Sequence, residues 1–179
     1  MPPKAGKTRT VPKSFRVDEP ALQAIEKDAV SHNVSVNTLV NQILKQYADY
    51  DRFAQKISTV KLSSSTFRGL LSGLDADKVI EVAKSSGSGV PQAFATAKSG
   101  RVDMKALLDH LSYLSAYAHL CEMSETVDSQ VHNLTLIHDF GLNWSIFLVH
   151  YVTAMFGLIG ITPKLEMSDR SVSITIPNM

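Results

Sequence analysis

The stretch Lys13–Pro20, KSFRVDEP, decides how the first part of this chain folds. Apolar and polar residues alternate along its first half, as they do in a β-strand with one buried face. Phe15 and Val17 share the apolar side, and Ser14 and Arg16 share the polar side. The alternation predicts a short strand over residues 11–17.

Two amphipathic helices are predicted after this strand. Asp18 is a suitable N-cap for the first helix, and Pro20 fits its first turn. Asn33 suits the end of that helix, and Ser35 is placed to cap the second. Apolar residues recur at helical spacing in both helices, at Ala21, Leu22, Ile25 and Ala29 in the first and at Leu39, Val40, Ile43, Leu44 and Tyr47 in the second.

The strand needs a partner that its own neighbourhood does not supply. A lone strand of this length does not persist in water. Two copies of the chain could pair their strands antiparallel and so bury the apolar side against the helices. We therefore expect a homodimer, with an apolar core of Phe15, Val17, Leu22, Ile25, Leu39, Val40, Ile43 and Leu44.

This order of strand, acidic-proline helix start, helix, turn and helix resembles the ribbon-helix-helix DNA-binding family of the Arc and methionine-repressor type. The resemblance covers about the first quarter of the chain, and the stretch 35–38, SVNT, matches the family well. It implies a transcriptional regulator, such as a repressor, that places a two-stranded ribbon in the major groove of double-stranded DNA. Ser14 and Arg16 would contact bases. Phosphates would be contacted by Lys7, Arg9, Lys13, Ser35, Val36 and Asn37.

The strand departs from the family in one respect. The family usually presents three polar side chains on the outer face, and the third position here is Pro12. Proline offers no side-chain donor and cannot donate to a strand ladder. We therefore expect thin base recognition, with affinity supported by the basic arm and by the start of the second helix.

Charge and composition are consistent with this expectation. Five basic residues and no acidic one precede Asp18, although the net charge of the whole chain is only +1. A basic end on a near-neutral protein suits phosphate contact. The single cysteine, Cys121, excludes an internal disulfide framework, and no secretory signal is recognised, so we expect a cytoplasmic protein.

The remainder of the chain predicts an α+β domain, with several helices and a mostly antiparallel sheet of about four strands. The expected organisation is a flexible arm (1–9), the ribbon-helix-helix domain (10–55) and this C-terminal domain (56–179), which serves oligomerisation or effector binding. Strands are predicted over 57–62, 131–140, 164–167 and 172–176, and SSGSG at 85–89 is predicted to be a loop between two helices. The apolar run 144–161 is interpreted as a buried helix, covered by the sheet and by a second subunit, rather than as a membrane span.

Chemistry beyond DNA binding has little support in the sequence. The six histidines, of which five lie with Cys121 in the C-terminal part, include no pair at chelating spacing. No catalytic motif is recognised, so neither a cofactor nor an enzymatic activity is expected. The C-terminal domain would strengthen the dimer or join dimers into tetramers. Two alternatives stay open: a protein-interaction module of antitoxin or scaffold type, and a metal- or ligand-gated repressor.

Overall fold

The structure, a computed structural model, describes residues 10–128 and 131–177. Contacts divide the chain into two compact units, with the division between Lys45 and Gln46. The first unit contains helix α1 (Glu19–Ser31) and all but the last residue of helix α2 (Val36–Gln46). Both helices lie where the apolar spacing predicts them.

The turn between α1 and α2 is closed by backbone hydrogen bonds. Asn33 has a φ of +53°, a left-handed conformation that asparagine tolerates better than most residues. Its N–H donates to the Val30 carbonyl at 3.1 Å, and the Val34 N–H donates to the Ala29 carbonyl at 3.0 Å. Ala29 is only 2% exposed, because its small side chain lies at the inner side of this turn.

The predicted strand over residues 11–17 is not observed in the single chain. Residues 10–18 have no regular secondary structure, and Phe15 and Val17 are exposed. The described residues offer this segment no neighbouring strand, and a strand without a partner leaves its backbone groups to water. The ribbon is therefore absent from the isolated chain.

The second unit is mixed α and β, as expected. It begins with a π-helical turn (Tyr47–Asp51), the short helix α3 (Arg52–Ala54) and a 3-10 turn (Gln55–Ile57). The longer helices are α4 (Ser64–Ser72), α5 (Ala76–Ser99), α6 (Met104–Ala116) and α7 (Leu142–Gly157). The strands are β1 (Glu122–Val127), β2 (Val131–Ile137), β3 (Lys164–Met167) and β4 (Ser171–Pro177).

Side-chain caps begin three of these helices, as the sequence predicts. Ser63 accepts a hydrogen bond from the backbone N–H three residues later at 3.2 Å. Asp75 and Asp103 do the same at 2.8 and 2.9 Å. Each cap satisfies a donor that has no acceptor inside its helix, which is why α4, α5 and α6 begin where they do.

Within the described residues, the strands form one antiparallel sheet of four, in the order β1-β2-β4-β3. Three of the predicted strands are present. The prediction of a strand over 57–62 is wrong: Ser58 is left-handed, with a φ of +54°, and Val60 is exposed. Strand β1 was not predicted, because this edge strand is largely polar and exposed and shows no apolar alternation.

Helix α7 is apolar on several sides because it is covered on several sides. It contacts β3, β4 and α5, and Leu148, Val152 and Met155 are buried. Helix α5 of the same chain packs along α7, and the expectation of a second subunit on this helix stays a prediction. In the part of the chain that the structure describes, no helix is long and apolar enough to cross a membrane.

The predicted SSGSG loop lies inside α5. Residues 85–89 continue the helix without a break, and Pro91 lies within it as well. The packing of α7 explains why position 87 is a glycine: a Cβ at this position would lie 2.4 Å from the Tyr151 carbonyl oxygen of α7. The close approach of two helix backbones, rather than local flexibility, accounts for this glycine.

Candidate nucleic-acid interface and C-terminal cavity

The polar side chains predicted to contact DNA bases are accessible. Ser14 and Arg16 are exposed in the irregular segment before α1, and Lys13 is exposed beside them. Arg16 has no ion pair with another described residue. Lys7 and Arg9, which were predicted to contact phosphate, lie outside the described residues.

The start of α2 provides backbone donors next to a capping serine. The Thr38 N–H donates to the Ser35 hydroxyl oxygen at 3.0 Å, and the two hydroxyl groups share a hydrogen bond of 2.8 Å. Val36 and Asn37 occupy the first helical positions, where backbone N–H groups have no acceptor within the helix. These N–H groups lie at the positive end of the helix dipole, which favours a phosphate.

The residues predicted to form the dimer core are incompletely buried in the single chain. Phe15 is 69% exposed and Val17 is 52% exposed. Leu22, Ile43 and Leu44 are also exposed, whereas Ile25, Leu39 and Val40 are half-buried. Among the described residues of the first unit, Ala29 is the one buried apolar side chain. The unit therefore exposes most of the apolar surface that its helical pattern groups together.

The second unit contains a cavity of about 550 Å³ at one end of the sheet. It is lined by residues from α4, the end of α6, the start of β1, the end of β2 and the β3–β4 turn. The polar part of the lining includes Ser64, Arg68, Ser115, His119, Glu122 and Arg170. Met123, Ile137 and Phe140 contribute apolar surface.

Two side chains at the start of α7 anchor walls of this cavity. The Asn143 amide donates to the carbonyl oxygens of Leu71 and Leu74, at 2.8 and 2.9 Å, and so holds the end of α4. The Trp144 indole N–H donates to the Leu120 carbonyl at 3.0 Å, which holds the segment between α6 and β1. All three bonds join α7 to another segment of the chain.

The end of β2 is anchored in the same way. The Phe140 N–H donates to Nδ1 of His138 at 3.3 Å, so Nε2 carries the ring proton and donates to the Ser145 hydroxyl at 2.9 Å. Asp139 forms an ion pair with Arg170 in the β3–β4 turn. Burial lowers the pKa of His138, which keeps this histidine neutral near pH 7.

Two further residues of types that can bind metal ions are His132 and Cys121. His132 pairs with Glu125 across the β1–β2 pair. Burial raises the pKa of the Cys121 thiol to about 11, so the thiol is protonated at neutral pH. In residues 10–128 and 131–177, no three or more His, Cys, Asp or Glu side chains are grouped so that they could hold a metal ion.

His110 makes the stability of the second unit sensitive to acid. It is 2% exposed, Nε2 shares a 2.7 Å hydrogen bond with the Tyr151 hydroxyl, and Nδ1 has no partner among the described residues. Burial lowers the pKa of His110 from 6.5 to about 4. Between these two pH values, the unfolded chain therefore binds a proton that the folded chain does not bind. The contribution of His110 to the free energy of unfolding is complete above the pKa of the unfolded state. It falls as the pH drops toward the pKa of the folded state. We expect a loss of about 2 kcal/mol between about pH 7 and about pH 5.

Urea denaturation at a series of pH values measures this loss. The variant His110→Gln removes the titrating ring. On acidification over the same pH range, its free energy of unfolding should therefore fall by about 2 kcal/mol less than that of the wild type. The exposed His32→Gln variant is the matched control and should keep the wild-type pH dependence. An NMR titration in which the His110 ring protonates near its unperturbed pKa would contradict the prediction even if His110→Gln proves too unstable to purify.

No protein-family model matches this chain, and no curated protein matches its sequence. A function for this chain is therefore inferred from its own residues. Sequence reasoning identified the segment around Arg16 but missed the cavity, for which the available indication was a group of polar residues, His138, Asp139, Asn143 and Ser145, at the edge of an apolar run.

Proposed function

We propose that this chain is a homodimeric DNA-binding protein, a transcriptional regulator that contacts the major groove with a ribbon made of one strand from each copy. The observation that carries the proposal is the apolar surface that the first unit leaves exposed beside a segment without regular structure. Phe15 and Val17 alternate with Ser14 and Arg16 in that segment. Pairing two such segments removes the apolar side chains from water and gives each backbone a partner.

A second copy is the occupant that best fits this surface. The exposed apolar residues lie in the segment and on both helices, so one partner must cover all three. Two identical segments can pair antiparallel about a two-fold axis, which gives each copy the same contacts. The paired segments then form a two-stranded ribbon of the kind that fits the major groove.

The charges outside this core suit DNA. On the ribbon, Arg16 and its symmetry mate face away from the helices, and an arginine can donate two parallel hydrogen bonds to guanine O6 and N7. Lys13 and the start of α2 at Ser35 are suited to phosphates on either side. Because Pro12 occupies the third outward position, base recognition rests on Ser14 and Arg16, and phosphate contacts supply a large share of the affinity.

The substitution Arg16→Ala tests this assignment. A preferred sequence is first selected from a random DNA pool with the wild-type protein, and affinity for that sequence and for a shuffled one is then measured by fluorescence anisotropy. We expect the preference for the selected sequence to fall at least about tenfold, because the dimer loses two arginine–guanine contacts and each contributes about 1–3 kcal/mol of discrimination. Lys27→Ala, an exposed lysine in the middle of α1, is the matched control and should keep the preference.

The salt dependence of binding separates this proposal from a protein-interaction module. A protein that binds DNA through phosphate contacts loses affinity steeply as the salt concentration rises. A dimer that shows no salt-sensitive DNA binding, or an Arg16→Ala variant with unchanged affinity and preference, would contradict the proposal and favour the interaction module.

A further inference from the structure

We propose that the C-terminal cavity binds a small organic carboxylate whose remaining body is apolar. The proposal concerns the second unit and does not depend on DNA binding by the first. Three observations support it: the ties that hold the cavity walls, a cation without an ion-pair partner in the lining, and an apolar wall in the same space.

The cavity walls are held by one short segment of the chain, residues 138–145. Asn143 holds the end of α4, and Trp144 holds the segment that carries His119. Asp139 holds the turn that carries Arg170, and His138 ties the end of β2 to α7 through Ser145. Each polar side chain thus fixes a different wall of one cavity. Fixed walls reduce the ordering that a ligand must impose, which favours binding.

Aromatic packing stiffens the same region. The Phe67 ring of α4 meets the rings of Phe140 and Trp144 edge to face, with centroid distances of 5.2 and 5.1 Å. Edge-to-face contacts of this kind fix the relative orientation of the rings. The α4 wall, which carries Ser64 and Arg68, is therefore held by both hydrogen bonds and ring contacts.

The lining holds two arginines, Arg68 and Arg170, and two carboxylates, Asp139 and Glu122, so the local arrangement and not the summed charge selects the ligand. Arg68 is the group in this lining that suits an anion. The other arginine of the lining, Arg170, is neutralised by Asp139, whereas Arg68 has no ion pair with a described residue. Ser64 lies four residues before Arg68 and so on the same face of α4, where its hydroxyl can donate to the same ligand. An arginine offers a carboxylate two parallel hydrogen bonds, which a neutral group accepts less well.

The rest of the cavity suits an apolar body. Met123, Ile137 and Phe140 line it, and its volume of about 550 Å³ lies in the range of small-molecule sites. The geometry points to binding rather than to reaction, since both ring nitrogens of His138 are engaged and the Cys121 thiol is protonated. A carboxylate attached to an apolar ring or short chain meets both kinds of surface.

Benzoate, benzamide and inorganic phosphate are suitable probes for calorimetry with the full-length protein and without DNA. Benzoate has the charge and the apolar body, benzamide has the body without the charge, and phosphate has the charge without the body. We expect saturable binding of benzoate and at least about tenfold weaker binding of the other two, because benzamide lacks the charge that strengthens a hydrogen bond to arginine and phosphate lacks the apolar body. Trp144, the one tryptophan of the chain, contacts Phe140 of the lining with a centroid distance of 6.0 Å, so its emission should change with the same saturation curve.

The variant Arg68→Gln should weaken benzoate binding about tenfold, because it keeps a polar side chain and removes the charge. Arg101→Gln, an exposed arginine outside this cavity, is the matched control and should leave binding unchanged. Both variants should keep the wild-type melting temperature, since neither side chain is buried. The proposal would be overturned if benzoate did not bind or if benzamide or phosphate bound as tightly as benzoate. It would also be overturned if Arg68→Gln kept the wild-type affinity for benzoate.

Discussion

The variants Gly87→Ala and Gly89→Ala are expected to differ by about 3 kcal/mol in the free energy of unfolding, with Gly87→Ala the less stable. Both glycines lie in α5, so replacement by alanine changes the intrinsic helix propensity equally at the two sites. The difference therefore isolates the packing of α5 against α7.

The physical cause is a contact between two backbones. A Cβ on Gly87 would lie 2.4 Å from the carbonyl oxygen and 2.8 Å from the Cα of Tyr151, whereas a Cβ on Gly89 meets nothing within 4 Å. Backbone atoms cannot rotate away from an added methyl group, so the two helices must separate, and overpacking of this kind costs about 1–3 kcal/mol. Separation of α5 from α7 would also disturb the hydrogen bond between His110 of α6 and Tyr151 of α7.

Thermal and urea unfolding of the two variants measure this difference. For a chain of this size, it corresponds to melting temperatures roughly 10 °C apart. Gly89→Ala should equal or exceed the wild type, because its added methyl group faces open space in a helix. Equal stability of the two variants would contradict the close approach of α5 and α7.

The second large effect is expected for Phe15→Ala, which should weaken the proposed dimer roughly a hundredfold. Phe15 is 69% exposed in the single chain, and the proposed ribbon covers it. Burying that exposed part contributes about 1.5 kcal/mol for each phenylalanine, and each dimer contains two, so the loss is about 3 kcal/mol.

Sedimentation equilibrium or light scattering over a dilution series gives the dissociation constant. Val30→Ala is the matched control, because Val30 is 81% exposed on α1 and is not part of the predicted dimer core. The control should dimerise as the wild type does, and Phe15→Ala should lose DNA binding in parallel with dimerisation. A wild-type protein that stays monomeric, or a Phe15→Ala variant that dimerises normally, would contradict the proposed ribbon.

Local chemistry explains which parts of the fold the sequence predicts well. Ser63, Asp75 and Asp103 cap helices because each side chain satisfies a donor three residues away, within its own segment. The spacing of apolar residues likewise places α1, α2 and α7, and the alternation of apolar residues places β4.

Features that depend on distant residues were not predictable in this way. The stretch 85–89 is helical because α7 packs against it, although serine and glycine alone favour a loop. β1 is a strand because β2 offers it a partner edge, although its own residues are mostly polar. The cavity escaped the sequence analysis because its walls come from segments more than 100 residues apart, between Ser64 and Arg170.

By itself, the sequence determined the positions of the capped and amphipathic helices, because these features depend on residues within one or two turns of each other. Tertiary structure alone decided the helical state of residues 85–89, the strand at Glu122–Val127 and the assembly of the cavity. In each of those cases, the free energy comes from contacts between segments that are distant in the chain, and such contacts can outweigh the local preference of about 1 kcal/mol that a glycine expresses.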